Sequence, residues 1–291
     1  MPESGSSRSR AVRRVLWGIL LANLAVVGAK FLIGVAASSL AVLGDAIHST
    51  ADALNNVLAL VVIRAASKPP DEDHPYGHGK FETLGTLAIV GFMSITCFQL
   101  VRDAVTRLLG SHEPPILSDL QLGALLATLV INVVVARYES RRGRELQSDL
   151  LLADAAHTRA DVFITIGVLA GMIFARQGWW WIDPVLALVI AAFIVRIAFQ
   201  VFRLALPVLV DERAIPTPAI QSLAESVPGV KSAYSIRSRG GTTAHGRYAE
   251  VTIAVDGSAN VADAHAIADR VEALLMRDLE LSAVTVHVEP C

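Results

Sequence analysis

His48 and Asp52 stand four residues apart, and so do His157 and Asp161. On a helix that spacing puts each pair on one face, with Cβ atoms about 5–6 Å apart. Two such helices facing each other would offer two imidazole nitrogens and two carboxylate oxygens, a set that closes a tetrahedron around Zn²⁺. Both pairs lie inside long apolar runs. Ionisable groups at membrane depth are costly and mark ion pathways or proton relays. A pair of buried His–Asp contacts between helices is the plainer alternative, and the repetition on two runs argues against it. Asp45 and Asp154 lie a turn nearer the run ends and read as solvated end residues.

A second group lies in the string PPDEDHPYGHGKFE, residues 69–82. Asp71, His74 and His78 crowd together there, with Glu72 and Asp73 as further carboxylates. Pro69, Pro70, Pro75, Gly77 and Gly79 can fold the segment back on itself. Carboxylate plus imidazole suits a transition metal, while a charged, solvated loop accounts for the same composition. No His-Glu-x-x-His motif or nucleophile–base pair is present. A catalytic zinc also keeps an open coordination position. A four-ligand site therefore points to metal as cargo, and no enzyme activity and no organic cofactor are expected.

The elements that must position these residues are membrane spans. The chain has 291 residues, 53% hydrophobic and only 18% charged, too apolar for an ordinary soluble domain. Its net charge of −2 gives no reason to expect a nucleic-acid partner. Two cysteines, one of them the last residue, support neither a disulfide framework nor a Cys-type zinc site. A bilayer core takes about 20 apolar residues per helix, and six runs qualify, at roughly 16–33, 40–63, 84–101, 120–135, 150–174 and 182–202. Lys30, inside the first, is expected near an edge or facing protein. Arginine and lysine concentrate before the first run, in the second-to-third loop, at 137–144 and after 203. By the positive-inside rule, both termini are cytoplasmic. Trp179, Trp180 and Trp181 would anchor the outer interface.

Beyond Arg213 the character changes to that of a soluble α+β domain. Thr217-Pro218 starts a helix. Strands are expected at 230–239, 247–256 and 283–289, with a helix at 262–276. His287 and Glu289, two residues apart on the last strand, share one sheet face.

The order of His48-Ser-Thr-Ala-Asp52, the Asp71–Glu82 loop string and His157-Thr-Arg-Ala-Asp161 resembles the cation diffusion facilitator family of divalent-metal efflux transporters. Six spans and a C-terminal domain of this size resemble it as well, so the likeness covers nearly the whole chain. It implies an α-helical membrane protein, with a six-helix bundle at 14–210, an N-terminal arm at 1–13 and a cytoplasmic α+β domain at 211–291. It implies a homodimer that exports divalent metal in exchange for protons across the cell inner membrane. His48, Asp52, His157 and Asp161 would form the transport site, and Asp71, His74 and His78 a loop metal site. The histidine opening the second-span motif resembles the zinc-preferring branch. A manganese, iron, cobalt or nickel exporter, or a membrane metal sensor that does not transport, remains open. Zn²⁺ would be cargo and also a regulatory ion in the cytoplasmic domain. There the resemblance points to His265 beside His287 and Glu289, but Tyr234 and Thr252 stand where some relatives have histidines.

Overall fold

The structure is a computed structural model. It describes the chain except residues 1–2, 37–39, 111–118, 178, 180 and 242–245, together with the side chains of 3–6, 34, 36, 40–42, 44–45, 47–48, 51, 120–121 and 175–176. The side chains of His48 and Asp45 and the whole of Trp180 thus lie outside the described residues. The chain divides into two compact units, Met1–Ala205 and Leu206–Cys291.

Among the described residues six long helices build the first unit, the last running on past Ala205: α1 Glu3–Ala36, α2 Leu40–Ala66, α3 Lys80–Leu109, α4 Asp119–Glu145, α5 Asp149–Arg176 and α6 Ile182–Leu209. Each outruns the apolar stretch in its sequence, because polar ends remain helical where they leave hydrocarbon. Residues 3–13, expected as an arm, continue α1. Among the described residues five helices are long and apolar enough to cross a membrane: Ser7–Ile33, Lys80–Leu109, Leu122–Glu145, Asp149–Phe174 and Ile182–Leu209. α1 packs on α2 and α4, α4 on α5, and α3 on α2 and α5. α6 joins through Ala191, Ile194, Ala198 and Val201, in one apolar cluster with Met93 and Cys97 of α3.

Small residues set how closely α5 is approached. Ala153, Ala156 and Ala160 are all buried. Without long side chains there, neighbouring backbones can come near, as membrane helix contacts favour. Gly85 does the same between α3 and α2: a Cβ added there would meet Val62 Cγ1 at 2.5 Å. Lys30 is buried and donates to Ser49 Oγ at 2.9 Å, so this charge faces protein.

A clasp ties three segments at one end of the bundle. Arg8 of α1 forks onto Glu82 of α3 with two N–H···O bonds of 3.1 Å. It also donates to Leu146 O at 2.7 Å and Gln147 O at 2.9 Å, in the short turn between α4 and α5. Ser148 completes the set, donating to Glu82 Oε1 at 2.6 Å.

The second unit is a three-stranded sheet with helices α7 Thr217–Glu225 and α8 Val261–Asp278. Its strands are β1 Ser232–Gly240, β2 Arg247–Val255 and β3 Ala283–Pro290. β1 pairs antiparallel to β2, and β2 parallel to β3 across α8. Asn260 caps α8, its side chain accepting the Asp263 N–H at 2.9 Å. Ile220 and Ala224 of α7, and Val271 and Leu275 of α8, bury against Val251, Ile253 and Val284. Alternation along β3 therefore sends Val284, Val286 and Val288 toward the helices and leaves His287 and Glu289 on the open face.

Candidate metal centre

α2 and α5 bring three of the four expected intramembrane ligands together. Ligand atoms of Asp52, His157 and Asp161 all lie within 4.8 Å of one another. His157 Nε2 is 3.7 Å from Asp52 Oδ1 and 3.8 Å from Asp161 Oδ2. Ligands about 2.0–2.2 Å from a tetrahedral zinc stand ~3.4 Å from each other, so His157 Nε2 is within a few tenths of an ångström of the spacing it would have to each carboxylate around one ion. His157 is buried, while Asp52 and Asp161 keep partial exposure. They line a polar cavity of about 40 Å³. His48 lies on α2 one helical turn before Asp52, on the same face by spacing, with its side chain outside the described residues.

The polar surroundings were not visible in the motif. Asn55 Nδ2 is 3.3 Å from His157 Nε2, the nitrogen that faces both carboxylates. Asn56 donates to Asp154 Oδ2 at 3.0 Å and accepts from Asn23 Nδ2 at 2.6 Å. Asp154 is therefore not the solvated end residue expected. It is 2% exposed, and its carboxyl lies in contact with that of Glu139. Glu139 is itself fully buried and accepts from Thr158 Oγ1 at 3.2 Å. Asn55 and Asn56 could have been found as the residues three and four after Asp52 on one helix face. Glu139 was hidden by the arginines at 137–144 that surround it.

The loop group also converges. Ligand atoms of Asp71, His74 and His78 lie within 4.8 Å of one another. Asp71 Oδ1 accepts the His74 backbone N–H at 2.8 Å and stands 3.3 Å from His74 Nδ1, and Asp71 Oδ2 is 3.4 Å from His78 Nε2. The His74 backbone donor holds the Asp71 carboxyl below the usual carboxylate range. His78 is buried, with Nδ1 3.2 Å from Pro69 O. Donation to that carbonyl leaves Nε2 as the lone-pair nitrogen, aimed at Asp71. Gly77 closes the turn at φ +84°, a conformation that suits glycine. Glu72 and Asp73 are exposed and stand outside the group.

In the second unit the expected ligands separate. His265 is exposed on α8, with Nε2 3.7 Å from Asp269 Oδ1. His287 Nε2 is 3.5 Å from Glu289 Oε1 on the open sheet face. The sheet lies between them, since α8 covers the opposite face, so one chain cannot bring all three to one ion. Tyr234, Thr252 and His287 are cross-strand neighbours in a single row. The Tyr234 hydroxyl donates to Glu289 Oε2 and occupies a carboxylate oxygen that a metal would need.

Sequence comparison places this geometry in a family. Residues 16–210 match the cation efflux transmembrane domain, and residues 216–291 match the cation efflux protein cytoplasmic domain. The chain belongs to the cation diffusion facilitator family, whose members are membrane transporters of divalent metal cations. It is a multi-pass membrane protein. It is 31% identical to manganese efflux system protein MneS of Bacillus subtilis, over 93% of each chain. It is 28% identical to cation-efflux pump FieF of Shewanella oneidensis, over 92% of this chain and 90% of that one. Metal tolerance protein C1 of Arabidopsis thaliana shares 31% identity, over 93% of this chain and 61% of the relative.

Proposed function

We propose that this chain is a zinc exporter of the cell inner membrane, working as a metal/proton antiporter by alternating access. The observation that carries the reading is the convergence of Asp52, His157 and Asp161 on one small polar cavity inside the helical bundle. His48 is the fourth ligand. A donor set rich in imidazole suits zinc. Metal binding needs neutral imidazole and ionised carboxylate, so loading releases protons, and reprotonation on the far side expels the ion. Asp71, His74 and His78 form a second metal site in the loop between α2 and α3.

In the same proposal α2 is the sixth span, the membrane domain covers 14–210, and both termini are cytoplasmic. The domain at 211–291 pairs two copies into a homodimer. Any regulatory ion there binds weakly in one chain, since His265 lies across the sheet from His287 and Glu289. Manganese is the second reading. It is favoured by the name of MneS and by the two carboxylates of Asp52 and Asp161 around a single described imidazole.

Flux into sealed proteoliposomes, with zinc and manganese in direct competition and internal pH recorded, tests these points together. Zinc uptake with proton countermovement is expected. Manganese uptake unaffected by excess zinc would overturn the zinc assignment. Metal binding with no flux of either ion would leave a sensor rather than an exporter.

A further inference from the structure

α1 and α2 carry matching stripes. Arg10, Arg13, Arg14 and Trp17 recur at i, i+3, i+4 and i+7 on α1, and Val57, Leu60, Val61 and Arg64 do the same on α2. Such spacing gives each helix one continuous face. The two faces, with Leu20, enclose a crevice of about 650 Å³. Consecutive packed helices run in opposite directions, so the late Arg64 of α2 meets the early arginines of α1. One end of the crevice therefore holds four guanidiniums. The other end is apolar, walled by Trp17, Leu20, Val57 and Val61.

The occupant must match both ends. The side chains of Arg13, Arg14 and Arg64 meet no carboxylate among the described residues. Like charges gathered this way call for an anion, and guanidinium forks fit phosphate oxygens in pairs. Trp17 and Leu20 belong to the apolar stretch Ser7–Ile33, long enough to cross a membrane. A water-soluble acidic peptide would have to place its backbone at that depth. A lipid has its acyl chain there already. Basic pockets between membrane helices hold anionic headgroups on this physical basis.

We propose that the α1–α2 crevice binds an anionic phospholipid, its phosphate among Arg10, Arg13, Arg14 and Arg64 and an acyl chain along the Trp17–Val61 wall. The inference needs only the membrane location and not the choice of transported metal.

Native mass spectrometry of the full chain, released from detergent with phosphatidylglycerol or phosphatidylcholine, tests it. Wild type retains phosphatidylglycerol in preference. Each arginine-to-glutamine change lowers that preference about five-fold, and Arg13→Gln with Arg64→Gln together lower it ~25-fold. Val61→Trp, at an exposed position, fills the apolar half and lowers phosphatidylglycerol retention with every charge intact. Equal retention of the two lipids, or a preference unchanged in the double variant, overturns the proposal. Complete displacement by inorganic phosphate together with indifference to Val61→Trp also overturns it, and identifies a phosphate site instead.

Discussion

Replacing Arg8 by alanine strips Glu82 of its counter-ion in a place water does not reach. The Glu82 side chain is 2% exposed and that of Arg8 18%. In wild type the carboxylate receives two guanidinium bonds and the Ser148 hydroxyl. After Arg8→Ala only Ser148 remains, and a buried charge left without its partner costs about 3–5 kcal/mol. Glu82→Gln is gentler. It removes the charge, while Arg8 keeps the Leu146 and Gln147 carbonyls and some access to water, for a cost of ~1–3 kcal/mol. The double variant has no stranded charge, so its loss should fall short of the sum by about 2 kcal/mol. The assay is reversible unfolding of all four proteins in mixed micelles. An exposed ion pair would show at most about 1 kcal/mol of coupling. Additive losses, or Arg8→Ala no worse than Glu82→Gln, would refute the view that this clasp is a desolvated pair holding α1, α3 and the α4–α5 turn together.

Other expectations follow from single contacts. The Asp71 carboxyl, held low by the His74 N–H, should titrate by carbon NMR below the ~3.9 of an unperturbed aspartate. Its folded pKa is depressed, so the stabilisation from this bond is complete above the unfolded value and is lost only as pH falls through the folded one. A midpoint at or above the unperturbed value would contradict that. Gly85→Val should cost ~1–3 kcal/mol by overpacking against Val62, and unchanged thermal stability in micelles would remove the close approach of α2 and α3. Asn55→Ala removes an amide that competes for His157 Nε2, the nitrogen facing both carboxylates, so zinc affinity should hold or rise; isothermal titration showing a roughly ten-fold or larger loss would show that Asn55 supports the site instead. Tyr234→His should place a nitrogen beside Glu289 and His287 and tighten zinc binding in the second unit. Failure to gain affinity would show that the open sheet face is not preorganised for metal.

What could be read from the chain in advance was whatever depends on neighbours in sequence. Asp161 follows His157 by one helical turn, and Asp71, His74 and His78 lie within eight residues, so local spacing alone brought them together. Strand alternation likewise placed His287 and Glu289 on one face. Contacts between distant segments left no such trace. Asp154 reads as an end residue until Asn56, 98 residues earlier, is seen to bond it. Glu82 reads as part of a loop until Arg8 and Ser148 enclose it. His265 looked like a partner of His287 because sequence does not reveal that the sheet stands between them. Lys30, an anomaly in an apolar run, became intelligible only through Ser49.

The most direct test of the central claim is zinc-driven proton flux in sealed vesicles with Asp52→Ala and Asp161→Ala. Each protein should first be shown to elute and unfold like wild type. A transport site at Asp52, His157 and Asp161, as proposed, predicts that both variants lose flux while the folded protein persists. Wild-type flux in either variant would contradict it.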